Sequence, residues 1–118
     1  MILIVDDNEM VLEFLKDMLN LKYECASFLS ARSALDDLIH NPRIYNLIIT
    51  DFNMPYMNGL EFIKQVRLQA NGSIPVIMVT GNPLDVPKKD VEKLRISKVI
   101  AKPFEYDYLM RVIYDLVG

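Results

Sequence analysis

Three carboxylates, one hydroxyl and one amine stand directly after apolar runs of this sequence. The pair Asp6-Asp7 follows the first run, Asp51 the third, Thr80 the fourth and Lys102 the fifth. If the runs are strands of a parallel sheet, their ends lie at one edge, where open α/β sheets bind their ligands. These groups together are suited to metal-assisted chemistry on a phosphoryl group.

Asp51 is the candidate nucleophile, because a carboxylate can form an acyl phosphate when a metal neutralises the phosphoryl charge. The alternative is a strand-terminal aspartate that only begins a turn. The pair Asp6-Asp7 favours the functional interpretation, since three crowded carboxylates raise one another's pKa values unless a cation is present. Mg²⁺ fits such a site, with one of the pair ligating directly and the other through water. Either Asp6 or Asp7 is also a candidate cap of the first helix.

Thr80 and Lys102 are the candidate partners of a phosphorylated carboxylate. A threonine hydroxyl donates to a phosphoryl oxygen, and a lysine ammonium is a compact charge suited to phosphate. Core packing is the usual role of a strand threonine, and a solvated surface is the usual place of a lysine. Pro103 after Lys102 favours an ordered turn, and X-Pro bonds allow a cis peptide.

The elements that position these residues alternate between strands and helices. Strands start near residues 2, 23, 46, 74 and 98, and helices are predicted over 9–21, from about 31 to 40, over 60–69, from about 87, and over 105–117. This alternation predicts an α/β fold with a parallel sheet in one domain over residues 1–118. Runs one, three and four are almost wholly apolar, as in strands covered on both faces, whereas runs two and five are mixed and typical of edges. The pattern matches the flavodoxin-like order 2-1-3-4-5.

Composition excludes several classes of function. The net charge is −3 and the pI is near 5.1, so direct nucleic-acid binding by this domain is disfavoured. No apolar run approaches the ~20 residues that span a bilayer, which predicts no membrane insertion. The single Cys25 suits a reducing cytoplasm and is expected to be a small buried side chain. The six basic residues within 88–102 are interpreted as a solvated helix face plus one site lysine, with a docking face for an acidic partner as the alternative.

Four segments together resemble the receiver domain of response regulators in two-component signalling. They are ILIVDD, DFNMPYMNG, the strand ending VTG, and KPF, in that order and at successive strand ends. The resemblance covers essentially the whole chain. It implies a (βα)5 doubly wound sheet, a phosphohistidine donor on a sensor histidine kinase or histidine phosphotransfer protein, and a downstream output domain or protein. It leaves open a homodimer through helix 4, strand 5 and helix 5.

The resemblance also implies roles for individual residues. Asp51 would be the phosphoacceptor, and Asp7 and Asp51 would ligate Mg²⁺ directly, with Asp6 acting through water and Asn53 through its backbone carbonyl. Lys102 would pair with the phosphoryl group. Thr80 would move toward it and report phosphorylation to the face of helix 4, strand 5 and helix 5.

One departure from the family pattern concerns the output route. Many receivers carry an aromatic residue three positions before the lysine, where this chain has Val99. Two rival functions stay open beside the receiver. An aspartyl phosphatase often has a second acid where this chain has Asn53. A non-enzymatic module with a degenerate receiver fold would lose site residues that are all present here.

Overall fold

The computed structural model describes residues 1–118 and forms a five-stranded parallel sheet flanked by helices on both faces. The strands are β1 Ile2–Val5, β2 Cys25–Phe28, β3 Leu47–Asp51, β4 Val76–Thr80 and β5 Lys98–Ala101. The helices are α1 Glu9–Leu19, α2 Ala31–His40, α3 Gly59–Gln69, α4 Lys88–Lys93 and α5 Tyr106–Val117, with a 3₁₀ turn at Pro83–Asp85. The order is β2-β1-β3-β4-β5, which confirms the predicted flavodoxin-like sheet and its two edge strands.

Alternate residues of each central strand contribute to separate cores on the two faces of the sheet. In β1, Leu3 packs into the core beneath α2, α3 and α4, and Ile4 packs into the core beneath α1 and α5. Every residue of β1, β3 and β4 is buried. This two-sided burial explains why those strands read as continuous apolar runs, and it fixes their register against slippage.

The helix ends differ from the predicted ones for local reasons. α1 ends at Leu19 rather than at residue 21, and α5 begins at Tyr106 with Glu105 as its N-cap. α3 begins at Gly59, one residue early, because Asn58 and Glu61 form a reciprocal capping box. Ser30 is the N-cap of α2, and its hydroxyl oxygen accepts a hydrogen bond from the Ser33 amide.

Cys25 begins β2 and His40 ends α2. Cys25 is half-buried on the edge strand rather than fully buried, and burial raises the pKa of its thiol. His40 lies at the end of α2, where its Nδ1 is 2.7 Å from the Asp36 carbonyl oxygen. No helix of the structure combines the length and the apolar content needed to cross a bilayer.

Candidate functional site

The carboxyl ends of β1 and β3 bring the three predicted carboxylates together. Val5 pairs with Thr50 in the parallel register, so the next residues, Asp6 and Asp51, lie side by side. One carboxylate oxygen from each of Asp6, Asp7 and Asp51 lies within 4.8 Å of the others. Asp6 and Asp51 are buried and Asp7 is exposed. Hard oxygen ligands at this spacing are a donor set that Mg²⁺ accepts.

Lys102 reaches this acidic cluster from the end of β5. Its Nζ lies 3.1 Å from Asp6 Oδ2 and 3.3 Å from Asp51 Oδ1. These are the only ion pairs in the structure, and the pair with Asp6 joins residues 96 positions apart in the chain. The Lys102-Pro103 bond is cis, as X-Pro chemistry allows. One ammonium therefore bridges two nearly buried carboxylates.

The two oxygens of Asp6 are directed toward the protein. Oδ1 accepts the backbone N–H of Asn8 at 2.9 Å, and Oδ2 accepts Lys102. Asn8, and neither aspartate, caps α1, since its Oδ1 accepts the amides of Met10 and Val11. The capping role considered for the acidic pair was therefore wrong. Asparagine is a strong N-cap residue, so its place just before Glu9 was the signal that identifies it.

Electrostatics at Asp51 are dominated by burial and by a like charge. Burial raises the pKa of Asp51, the neighbouring Asp6 raises it further, and Lys102 and the Phe52 backbone amide partly oppose the rise. For Lys102 the largest influence, burial, lowers the pKa, but Asp6 and Asp51 outweigh it, so the net direction is upward. The site without a cation thus holds more negative charge than one lysine neutralises, which favours binding of a divalent ion.

Thr80 lies at the end of β4, opposite Ala101 of β5, and is completely buried. Its hydroxyl donates to the Asn82 carbonyl at 3.4 Å and accepts the Asn82 amide at 3.2 Å. The structure therefore brings Thr80 to the correct strand end but gives its hydroxyl local partners rather than the carboxylates. Asn53, also predicted for the site, is exposed in the loop after β3.

The loop from β3 to α3 shows two features that the sequence reasoning missed. A Cβ at Gly59 would lie 2.7 Å from the Asp51 carbonyl oxygen and 3.0 Å from Phe52 Cα, so only glycine fits there. The Asn58-Gly59 pair signals a turn, but this close approach depends on tertiary packing. Tyr56 adopts a left-handed φ of 69° with its side chain fully exposed. Such backbone strain in a non-glycine residue often occurs at functional loops.

Val99 opens a groove on the face formed by β5 and α5. The groove has a volume of about 720 Å³, and Val99, Pro83, Phe104 and Tyr108 contribute to its lining. Tyr108 is 38% exposed, and Leu84 beside Pro83 is 91% exposed. The position at which the sequence departs from the family pattern therefore lies in the wall of this groove.

Comparisons with known proteins agree with this architecture. The family described as the response regulator receiver domain matches residues 2–114. The chain is 31% identical to the chemotaxis protein CheY homolog of Campylobacter jejuni subsp. jejuni, over 99% of this chain and 92% of that protein. It is 31% identical to the sensor histidine kinase RcsC of Salmonella typhimurium, over 96% of this chain but only 12% of that protein.

A solved structure shows the same fold. The receiver domain of the sensor histidine kinase PA1611 from Pseudomonas aeruginosa PAO1 has a TM-score of 0.85 and 26% identity, covering 99% of this chain and 96% of that one. That structure has a magnesium ion coordinated in its active-site cleft.

The chain belongs to the response regulator receiver domain family. It is a phosphorylation-activated receiver of two-component signalling, a signalling switch rather than a metabolic enzyme. Receiver domains act with histidine kinases and output domains. This assignment favours the receiver over the aspartyl phosphatase that the sequence left open.

Proposed function

We propose that the chain accepts a phosphoryl group from a phosphohistidine onto Asp51, and that residues 1–118 act as one receiver domain. The main support for this proposal is that Asp51 lies close to Asp6, Asp7 and Lys102 at one edge of the sheet. An Asp51 carboxylate oxygen forms the new P–O bond while the P–N bond to the donor imidazole breaks. Attack by water later hydrolyses the acyl phosphate, returning the carboxylate and inorganic phosphate.

The residues present fit Mg²⁺ in this site. Asp7 and Asp51 are proposed to ligate it directly, with the Asn53 backbone carbonyl. Asp6 is proposed to act through water, because its two oxygens already accept the Asn8 amide and Lys102. Bound Mg²⁺ would neutralise charge on the transferring phosphoryl group. Lys102 would turn from the carboxylates toward that group, and the Thr80 hydroxyl would leave Asn82 to donate to it.

The donor is proposed to be a sensor histidine kinase or histidine phosphotransfer protein, acting in the cytoplasm. The face of α4, β5 and α5 is proposed to carry the signal to an output domain or protein. A homodimer through the same face is a further proposal for the phosphorylated state. The exposed Tyr108 in its groove, and the exposed Leu84 next to the groove residue Pro83, are consistent with a surface that a partner covers.

Asp51→Asn is expected to abolish phosphoryl uptake, because an amide cannot form the acyl phosphate. Intact mass after incubation with Mg²⁺ and either acetyl phosphate or phosphoramidate measures the gain of one phosphoryl group. Asp36→Asn, an exposed aspartate on α2, is the matched control and should gain the group like the parent. Equal uptake by Asp51→Asn and the parent would exclude Asp51 as the acceptor.

Mg²⁺ is expected to raise the thermal midpoint of the parent, since a ligand that binds only the folded state stabilises it. The free energy of unfolding rises by about 2.7 kcal/mol when the Mg²⁺ concentration is 100 times the dissociation constant. Asp7→Asn removes a proposed ligand and should show less than half of this gain at the same Mg²⁺ concentration, whereas Asp36→Asn should retain it. An unreduced gain in Asp7→Asn, measured by calorimetry against an EDTA blank, would remove Asp7 from the ligand set.

A further inference from the structure

The two ends of α4 are held in different ways. α4 has six residues, none of them buried, and its N-cap Pro87 offers no side-chain hydrogen bond. Its C-terminal end continues into a Schellman motif, in which the Ile96 amide donates to the Val91 carbonyl at 2.9 Å and the Arg95 amide to the Glu92 carbonyl at 3.2 Å. Ile96 is 5% exposed and packs in the core beneath α3. The C-terminal end is therefore the anchored one.

Arg67 of α3 completes this anchor. Its Nε donates to the Leu94 carbonyl at 2.9 Å and its Nη2 to the Arg95 carbonyl at 3.2 Å. Its Nη1 donates to the Asn71 carbonyl at 3.3 Å. One planar guanidinium thus joins the end of α4 to the end of α3, satisfying two carbonyls that the helix terminus leaves free. Burial and the nearby Arg95 lower the pKa of Arg67, and the three carbonyl acceptors offset this unfavourable environment.

Arg95 forms the second half of the connection. It occupies the position after the helix where glycine is usual, with a left-handed φ of 54°. Its own guanidinium donates to the Gly72 carbonyl in the loop between α3 and β4. Arg67 thus reaches from α3 to the end of α4, and Arg95 reaches back from the end of α4 to the loop after α3. We refer to Arg67, Arg95 and the carbonyls that they bind as the α4 latch.

The segment before α4 packs Val86 into the same core as Ile96, but no hydrogen bond joins it to a neighbouring helix as Arg67 joins the other end. Of residues 81–87 only Val86 is buried. Their hydrogen bonds stay local, from the Leu84 amide to Asn82 Oδ1, from the Asp85 amide to the Asn82 carbonyl, and between Asn82 and Thr80. This segment begins directly after Thr80, whose hydroxyl it holds. Release of that hydroxyl would free the segment without disturbing the latch.

We propose that the α4 latch makes the C-terminal end of α4 a fixed pivot, so that the phosphorylation response of this face is confined to residues 81–88. The proposal rests on the proposed function, since it concerns how that function is regulated. Arg67 is the decisive latch residue because its donors are the ones that bind the helix end itself. The device holds the C-terminal end of α4 at Leu94 in place and prevents displacement of the helix as a whole.

Hydrogen exchange at the Arg95 and Ile96 amides tests the latch before any phosphorylation. Arg67→Met keeps an apolar stem but removes the donors, and a charged hydrogen bond of this kind is worth roughly a tenfold to hundredfold change in local opening. We expect exchange at both amides to rise by that factor, with β1 and β3 amides unchanged. Arg67→Lys, which keeps the charge without the planar fork, should give at least half of the logarithmic effect.

Lys64→Met, a substitution of an exposed lysine on the same helix, is the control and should leave exchange at Arg95 and Ile96 unchanged. Unchanged exchange in both Arg67 variants would overturn the latch. Arg67→Lys also covers the case in which Arg67→Met fails to fold.

The second arm compares parent and Arg67→Lys after phosphoryl uptake has been verified by mass. The parent should change its exchange in residues 81–88 and not at Leu94 to Ile96, whereas the variant should change in both. Equal changes at both ends of α4 in the parent would overturn the pivot. If no phosphoryl group is taken up, the failure lies with the proposed function, and the first arm still decides the latch.

Discussion

Lys102→Met is expected to destabilise the protein by about 2–4 kcal/mol at neutral pH in the absence of metal. Breaking a buried ion pair usually costs somewhat more, and the partial exposure of Lys102 reduces the loss. The ammonium lies 3.1 Å and 3.3 Å from the carboxylates of Asp6 and Asp51, whose side chains are only 3% and 9% exposed. Without it, two adjacent desolvated negative charges have no partner cation. Urea unfolding in EDTA measures the loss.

The same substitution should change the pH dependence of stability in a defined direction. The pKa of Asp51 is raised in the folded state, chiefly by burial and then by Asp6, so the folded protein holds this proton more tightly than the unfolded chain. Stability therefore falls as pH rises from the ordinary value of 3.8 through the raised folded value. Lys102→Met removes the charge that opposes the rise in the pKa of Asp51. The loss of stability with rising pH should therefore be larger in the variant than in the parent. Below pH 3.8, the variant should be less destabilised relative to the parent than at neutral pH.

The raised pKa of Lys102 has the complementary consequence in the parent. Its stabilising contribution is fully present below 10.5 and is lost as pH rises through the folded value. Lys98→Met, an exposed lysine on the same strand with no ion pair, is the control and should alter stability by less than ~0.5 kcal/mol. A loss in Lys102→Met no greater than in this control would show that hydration of the carboxylates, rather than the charge of Lys102, offsets their repulsion. Phosphoryl uptake in Lys102→Met should also slow by roughly 100-fold.

Gly59→Ala is expected to cost about 2 kcal/mol of unfolding free energy, although alanine is the better helix former. The added methyl group would meet the Asp51 carbonyl oxygen at 2.7 Å and Phe52 Cα at 3.0 Å. Both are backbone atoms, so β3 or α3 must shift as a unit. Because the displaced strand end carries Asp51, phosphoryl uptake should fall together with stability.

Gly72→Ala provides the matched control for that substitution. A Cβ at Gly72 would meet only the flexible end of Arg95, at 4.0 Å. This variant should unfold within ~0.5 kcal/mol of the parent and keep its phosphoryl uptake. Equal stability of the two variants in urea would mean that the backbone around Gly59 shifts at little cost to make room for a Cβ. That result would contradict the expected steric conflict with Asp51 and Phe52.

Much of the site follows from the sequence because a parallel sheet brings all its carboxyl ends to one edge. Asp6, Asp51, Thr80 and Lys102 each end or follow a strand that the apolar pattern identifies, and the structure places them at that edge. The pairing of Lys102 with Asp6 as well as Asp51 was not predictable. The pairing depends on the Lys102 side chain extending from the end of β5 past β4 and β3 to β1. The spacing of residues along the chain does not indicate this.

The features that escaped prediction are those in which a polar group satisfies a distant backbone atom. The position of Arg67 on α3 carries no information about the carbonyls of Leu94 and Arg95, which its guanidinium binds from a distance of 27 and 28 residues in the chain. α4 proved shorter than a typical helix because Arg95 turns left-handed.

The 96-residue separation between Asp6 and Lys102 has a consequence for the nascent protein. While the chain is being synthesised, the acidic residues of β1 and β3 leave the ribosome well before β5 can pair with β4. Until then no ammonium is available to offset Asp6 and Asp51, and a partly made chain presents crowded carboxylates without their internal cation. The acidic cluster therefore gains its internal cation only when β5 joins the sheet and brings Lys102 to Asp6 and Asp51.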